Sequence, residues 1–202
     1  SQQNQTLSMS KPSPPECGVL IRRAFRQAYD ALSLLREKSL LQPYLAVLYS
    51  SIDAAAWLSS DHGGDVQRSD FESWVARFVL PGSSLKCTPT DLCGARCGVL
   101  HSFSAYSRLH REGRARAVSY AWGSANVSEL EELMGRWDPD SSVAVHLDDL
   151  TNAFFRGVED SLRDLESRPD AGDWLVDRAG NLFSALDRNA IETALRHHRA
   201  NG

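Results

Sequence analysis

The 202-residue chain has no long apolar run and no excess of positive charge. A membrane-spanning helix needs about 20 consecutive, mostly apolar residues, and the longest apolar stretch, 52–58, is interrupted by Asp53. We therefore expect no contact with a membrane. The formal net charge is −4, so the chain as a whole does not attract nucleic acid, and any polyanion would require a local basic patch.

Several sequence motifs that indicate a particular function are absent as well. The sequence contains no G-x4-G-K-[ST] phosphate loop, no G-x-G-x-x-G turn and no G-x-S-x-G elbow, which disfavours the common nucleotide-binding and hydrolase folds. It shows no basic segment followed by an apolar block, the pattern of a secretory signal. Because no export signal is present, we expect the four cysteines to be reduced thiols in a cytoplasmic protein.

The residues that are present predict a mainly α fold. Segment 1–15 is polar and Pro-rich and is interpreted as a flexible tail, whereas 16–202 is interpreted as a single helical domain. Apolar residues recur at helical spacing. This periodicity predicts helices over 16–38, 43–60, 70–80, from Thr90 or Asp91 onward, 148–167, 172–186 and 188–199.

A short β element is expected between the helices. Segments 115–121 and 143–147 alternate as strands do, and they flank a helix that ends near Trp137. The predicted architecture is a helical core over about 16–110 and 148–198, with a two-stranded β appendage at about 115–147.

The segment RCGVLH places an arginine, Arg96, and a histidine, His101, in an apolar helix. This helix is expected to carry one core stripe, formed by Leu92, Ala95, Val99, Phe103 and Tyr106. Arg96 lies at the edge of that stripe, and His101 lies about 140° further around the axis and ~7.5 Å along it. One helix does not easily aim both side chains at one point, although a long arginine reaches around.

A second copy of the helix offers a way to join the two residues. Two-fold symmetry would place Arg96 of each copy near His101 of the other. Small residues on the neighbouring face, Gly94, Gly98 and Ser102, would let another backbone approach closely.

The same segment resembles the R-x4–6-H signature of HEPN domains (higher eukaryote and prokaryote nucleotide-binding), which lies on a late helix of an all-helical core. The resemblance covers about 16–110 and 148–167. It implies an HEPN-like antiparallel helical bundle that forms a homodimer. Many such proteins are metal-independent ribonucleases whose two motifs form one cleft, and others are non-catalytic binding modules. Cys97 stands where the family often has another polar residue.

The residue types suit RNA cleavage without a metal. A histidine takes or gives a proton near neutral pH, and a guanidinium holds a phosphate and stabilises the charge that builds on it. We therefore predict Arg96 and His101 as catalytic residues. Substrate binding is predicted for Ser102, Tyr106, Arg108, Arg111 and Arg114, with Arg116 in the same basic cluster. Asp53, alone in an apolar helix, is the predicted supporting partner of Arg96.

Alternatives stay open for each of these residues. Arg96 also suits a purely structural pair with Asp53, and His101 also suits an ordinary position on a helix surface or interface. The same surface suits a non-catalytic dimer that binds a protein partner or a nucleotide, and the arginine cluster is also typical of a solvated turn. A zinc site at Cys93, Cys97 and His101 is disfavoured, because its outer members are ~12 Å apart along a regular helix. No metal or other cofactor is expected.

Overall fold

The computed structural model describes residues 14–62, 64–136, 140–168 and 172–182, together with 191–193, 195, 196 and 199. The predicted tail, 1–15, lies outside the described residues except for its last two prolines, with which the first helix begins. Of the predicted last helix, 188–199, the described residues are helical.

Most of the described chain is helical. Helix α1 spans Pro14–Glu37, α2 spans Leu41–Ser59 and α3 spans Arg68–Trp74. Helix α3 continues directly into a π-helical turn at Val75–Val79. The remaining helices are α4 (Pro89–Ser102), α5 (Arg108–Arg111), α6 (Val127–Gly135), α7 (Leu147–Ser167) and α8 (Gly172–Gly180).

The two predicted strands pair with each other, and they do so in parallel. Strand β1 spans Ala117–Ala121 and β2 spans Ser142–His146, with Ala117 opposite Ser142 and Ala121 opposite His146. Parallel neighbours need a crossover connection, and α6 supplies it. The predicted mainly α class with a small two-stranded β element is confirmed.

Helix α2 lies at the centre of the core. It contacts α1, α3, α4, α7 and α8, which explains why its sequence is apolar on nearly every side. Its Leu48, Tyr49 and Ile52 are fully buried. The sheet joins the same core, because Val118, Val143 and Val145 are buried in it and the Tyr49 and Tyr120 hydroxyls share a hydrogen bond of 2.6 Å.

Among the described residues, no helix is both long and apolar enough to cross a lipid bilayer. The longest of them, α1 and α7, carry charged residues on one side.

Close packing of α7 on the π-helical turn gives a testable prediction. A Cβ added at Gly157 would lie 2.7 Å from the Phe78 carbonyl oxygen, so backbone must move to admit it. We expect Gly157→Ala to lower the free energy of unfolding by about 1–3 kcal/mol in urea titrations. The control is Gly135→Ala, where the added Cβ meets open space. Equal effects of the two substitutions would contradict this packing.

Candidate anion-binding and catalytic site

Helix α4 begins with a complete capping box. The Thr88 hydroxyl accepts a hydrogen bond from the Asp91 backbone N–H at 3.1 Å, and the Asp91 carboxylate accepts one from the Thr88 N–H at 2.8 Å. Pro89 occupies the first turn, where its missing N–H costs nothing. The helix therefore starts at Pro89, slightly before the expected Thr90 or Asp91.

Asp91 also fixes the chain that enters β1. Its carboxylate accepts the Arg116 backbone N–H at 2.7 Å and the Arg116 guanidinium at 2.8 and 3.1 Å. Burial by itself raises the pKa of Asp91, but the hydrogen bonds from Arg116 and Thr88 outweigh it and the pKa lies below the usual value. Arg116 was predicted as a member of the basic cluster, but its guanidinium is paired with Asp91 and it does not line the pocket that holds Arg108, Arg111 and Arg114.

The far end of α4 differs from the sequence prediction. The helix ends at Ser102, and Phe103 adopts a left-handed conformation with φ 47°. The Ser104 N–H then bonds back to the Gly98 carbonyl at 3.1 Å, as in a Schellman-type helix end. Phe103 and Tyr106 leave the helix at this turn and are 62% and 58% exposed. The prediction that they continue the core stripe is wrong.

The two glycines of α4 serve contacts within the chain. A Cβ at Gly98 would collide with the Ser104 carbonyl oxygen, and one at Gly94 would lie 3.0 Å from the Ala115 Cβ and 3.3 Å from the Ser107 Oγ. The backbone that approaches this face is therefore the chain's own returning segment. The small residues do not require a second copy.

Arg96 pairs with Asp53, as predicted. The Arg96 Nε donates to the Asp53 Oδ2 at 2.7 Å, with side-chain exposures of 23% and 15%. Burial raises the pKa of Asp53 even beside this guanidinium. The guanidinium also lies 6.0 Å from the centroid of the Phe71 ring. Within the described chain, the Asp53 Oδ1 and the Arg96 Nη2 have no hydrogen-bond partner.

One pocket of about 420 Å³ brings the predicted site residues together. It lies between α4, the 104–107 segment, α5 and the start of α3. Its polar and charged lining comprises Arg68, Arg96, His101, Ser102, Tyr106, Ser107, Arg108, Arg111 and Arg114. The lining contains five arginines and no carboxylate, and both Arg96 and His101 belong to it in a single chain. We name it the arginine pocket.

His101 is the least constrained of the lining residues that carry chemistry. It lies in the last turn of α4 and is exposed. No hydrogen bond reaches its imidazole from the described residues. The Ser102 hydroxyl, in contrast, donates to the Gly98 carbonyl at 3.1 Å, and Tyr106 packs on the His110 ring at a centroid distance of 4.7 Å.

The three predicted basic residues downstream differ in their pairing. Arg108 and Arg114 contact the Glu112 carboxylate at 2.9 and 3.3 Å. Arg111 is exposed and has no ion pair within the described part of the chain. Sequence analysis missed Arg68, which lies in a segment distant from α4. Its ion pair with Glu72, four residues later, is typical of an ordinary helix surface.

The pocket also exposes the thiol of Cys97, to which sequence analysis assigned no role. Cys97 is partly exposed, whereas Cys17, Cys87 and Cys93 are buried. A hydrogen bond from Cys93 and the adjacent Arg96 lower the pKa of Cys97 to about 6, and the same contact raises the pKa of Cys93. The described residues contain no cluster of three or more potential metal ligands.

The Asp53–Arg96 pair predicts a coupled effect on stability. Arg96→Ala leaves a buried carboxylate without its cation, and we expect a loss of about 2–3 kcal/mol in urea unfolding at pH 7. The double variant with Asp53→Ala should lose less than the sum of the single effects. Because a protonated Asp53 needs no cation, the Arg96→Ala penalty should shrink as the pH falls through the raised pKa of Asp53.

The control for the Arg96 and Asp53 substitutions is the ion pair Arg136–Glu132, whose side chains are both 69% exposed. Arg136→Ala should change stability by no more than about 0.5 kcal/mol. Strictly additive effects at Asp53 and Arg96 would contradict the pairing.

No protein-family model, no curated protein and no solved structure matches this chain significantly. The function of the arginine pocket is therefore inferred from its own residues.

Proposed function

We propose that this chain is an HEPN-like, metal-independent endoribonuclease and that the arginine pocket is its RNA site. The observation that carries the proposal is the composition of the pocket, which has five arginines, one histidine and no carboxylate in a chain of net charge −4. A concave surface lined by one sign of charge concentrates the opposite charge. The cytoplasm, where thiols stay reduced, is the expected location.

The residues that line the pocket fall into two groups, one suited to binding RNA and the other to cleaving it. Arg111 provides an unpaired cation for a phosphate backbone within the described chain, and Arg108 and Arg114, which share the Glu112 carboxylate, line the same wall. Tyr106, 58% exposed, offers an aromatic face on which an unpaired base can stack. These contacts position a strand across the pocket and do not require a particular sequence.

Arg96 and His101 suit the chemical step. The Arg96 Nη2, which is free of protein partners in the described chain, is available to hold a phosphate oxygen, while Asp53 keeps the guanidinium in place. His101 takes the proton of the 2′-hydroxyl as the 2′-oxygen attacks phosphorus. The phosphorus–O5′ bond breaks, the leaving oxygen acquires a proton, and the products are a 2′,3′-cyclic phosphate and a 5′-hydroxyl end.

The pocket needs no second copy to bring these residues to one opening. Homodimerisation stays a prediction, and mixing two inactive variants tests whether the site is shared between copies. Arg96→Ala and His101→Ala protomers mixed together should stay inactive if each chain carries a complete site. Recovery of activity in the mixture would instead assign the two residues to opposite subunits.

We predict that His101→Ala lowers RNA cleavage by about 10²-fold or more, the usual contribution of a general acid–base group. The assay uses the full chain, a single-stranded RNA oligonucleotide and excess chelator, and identifies the end groups. Since His101 is exposed, the unfolding midpoint should be unchanged, and Arg136→Ala should retain full activity.

Three outcomes would contradict the proposal. Cleavage that persists in His101→Ala would remove the histidine from the reaction. Tight RNA binding by the parent chain without any cleavage would favour the non-catalytic binding module, and loss of dimerisation in His101→Ala without parent activity would favour an interaction surface.

A further inference from the structure

Cys97 occupies an unusual position among the thiols of this protein. It lines the arginine pocket, and the Arg96 Nη1 lies 3.9 Å from its sulfur. Cys17, Cys87 and Cys93 have exposures of 0%, 5% and 1%, and burial raises the pKa of Cys17 and Cys87. A reagent in solution therefore meets one thiol of the four, inside a cationic pocket.

We propose that Cys97 is a site of reversible S-thiolation by a small, carboxylate-bearing thiol, whose carboxylates are held by the arginines of the pocket. This modification is independent of whether the pocket cleaves RNA. The volume of about 420 Å³ lies within the range of roughly 300–1,000 Å³ that is usual for small-molecule sites.

The reaction is a thiol–disulfide exchange. The Cys97 thiolate attacks one sulfur of the disulfide form of the small thiol, a new sulfur–sulfur bond forms, and the old one breaks. The second half of the reagent leaves as a thiolate and takes a proton from water. Cys97 is oxidised and one half of the reagent is reduced, so no further oxidant is needed.

The neighbouring thiol favours this reaction without competing for its product. The Cys93 thiol lowers the pKa of the neighbouring Cys97 and so favours the thiolate, the reactive form of a cysteine. The two residues are four apart on a helix, where Cβ atoms are about 5–6 Å apart. A disulfide needs a Cβ separation of about 3.5–4.5 Å, so Cys93 does not displace the adduct unless α4 unwinds.

The charge of the pocket predicts which small thiols react. Arg111, which has no ion pair among the described residues, lies on the lining with Arg108 and Arg114. Fields of this kind raise encounter rates with opposite charges by about 10- to 10³-fold at low salt. An anionic disulfide should therefore react faster with Cys97 than a cationic one.

The test compares three disulfide probes on the folded full chain at low salt: oxidised glutathione (anionic), bis(2-hydroxyethyl) disulfide (neutral) and cystamine (cationic). Intact mass and peptide mapping give the rate and the site. We expect one adduct, on Cys97, removable by dithiothreitol. The glutathione-to-cystamine rate ratio should exceed that of the urea-unfolded chain by about tenfold or more, and high salt should abolish the difference.

Variants separate the contributions of charge and thiol. Arg111→Ala should reduce the ratio several-fold, whereas Arg136→Ala, whose arginine pairs with Glu132 outside the pocket, should leave it unchanged. Cys97→Ser should take no adduct. The Cys97 rate should stay nearly level from pH 7 to pH 9, because its pKa of about 6 leaves it ionised throughout, while an ordinary thiol gains reactivity over that range.

Three results would overturn the proposal: a rate ratio equal to that of the unfolded chain, adducts that persist in Cys97→Ser, or a Cys93–Cys97 disulfide as the main product. None of these readouts involves RNA, so their failure is separate from a failure of the ribonuclease proposal, which depends on His101.

Discussion

The ion pair between Asp53 and Arg96 is the constraint on which the site depends. Asp53 is the one charged residue of the central helix α2, and a buried carboxylate there is costly without a cation. The pair ties α2 to α4 at 2.7 Å and directs a long, flexible arginine toward one wall of the pocket. Arg96 thus serves the core and the pocket together. Its Nε donates to Asp53 and its Nη1 contacts the Cys97 sulfur, while its Nη2 has no partner within the described chain.

The second constraint is the way in which α4 ends. The left-handed Phe103 and the hydrogen bond from Ser104 to Gly98 turn the chain back along the helix that it has just left. That return places α5 and its arginines opposite Arg96 and His101, and only glycine at position 98 leaves room for it. If α4 continued straight, these residues would not enclose a pocket. The pocket therefore depends on the way in which this one helix ends.

Most residues of the site could be identified from the sequence, but their arrangement could not. Arg96, His101 and the downstream arginines are close in sequence, and Asp53 stands out because its neighbours are apolar. The helix end was not foreseen, because Phe103 and Tyr106 continue the apolar spacing of α4 and a left-handed phenylalanine has no local signal. The parallel strand pairing and the roles of Arg68 and Arg116 depend on contacts between distant segments, which periodicity does not contain.

Binding of a polyanion in the arginine pocket is tested most directly by its dependence on salt concentration. Fluorescence anisotropy with a labelled single-stranded RNA oligonucleotide gives the Kd over a range of salt concentrations. Each phosphate contact contributes about 0.7 to the slope of log Kd against log salt concentration. We predict that Arg111→Ala weakens binding and lowers that slope by about this amount, while Arg136→Ala changes neither. Identical slopes for the parent and Arg111→Ala chains would contradict it.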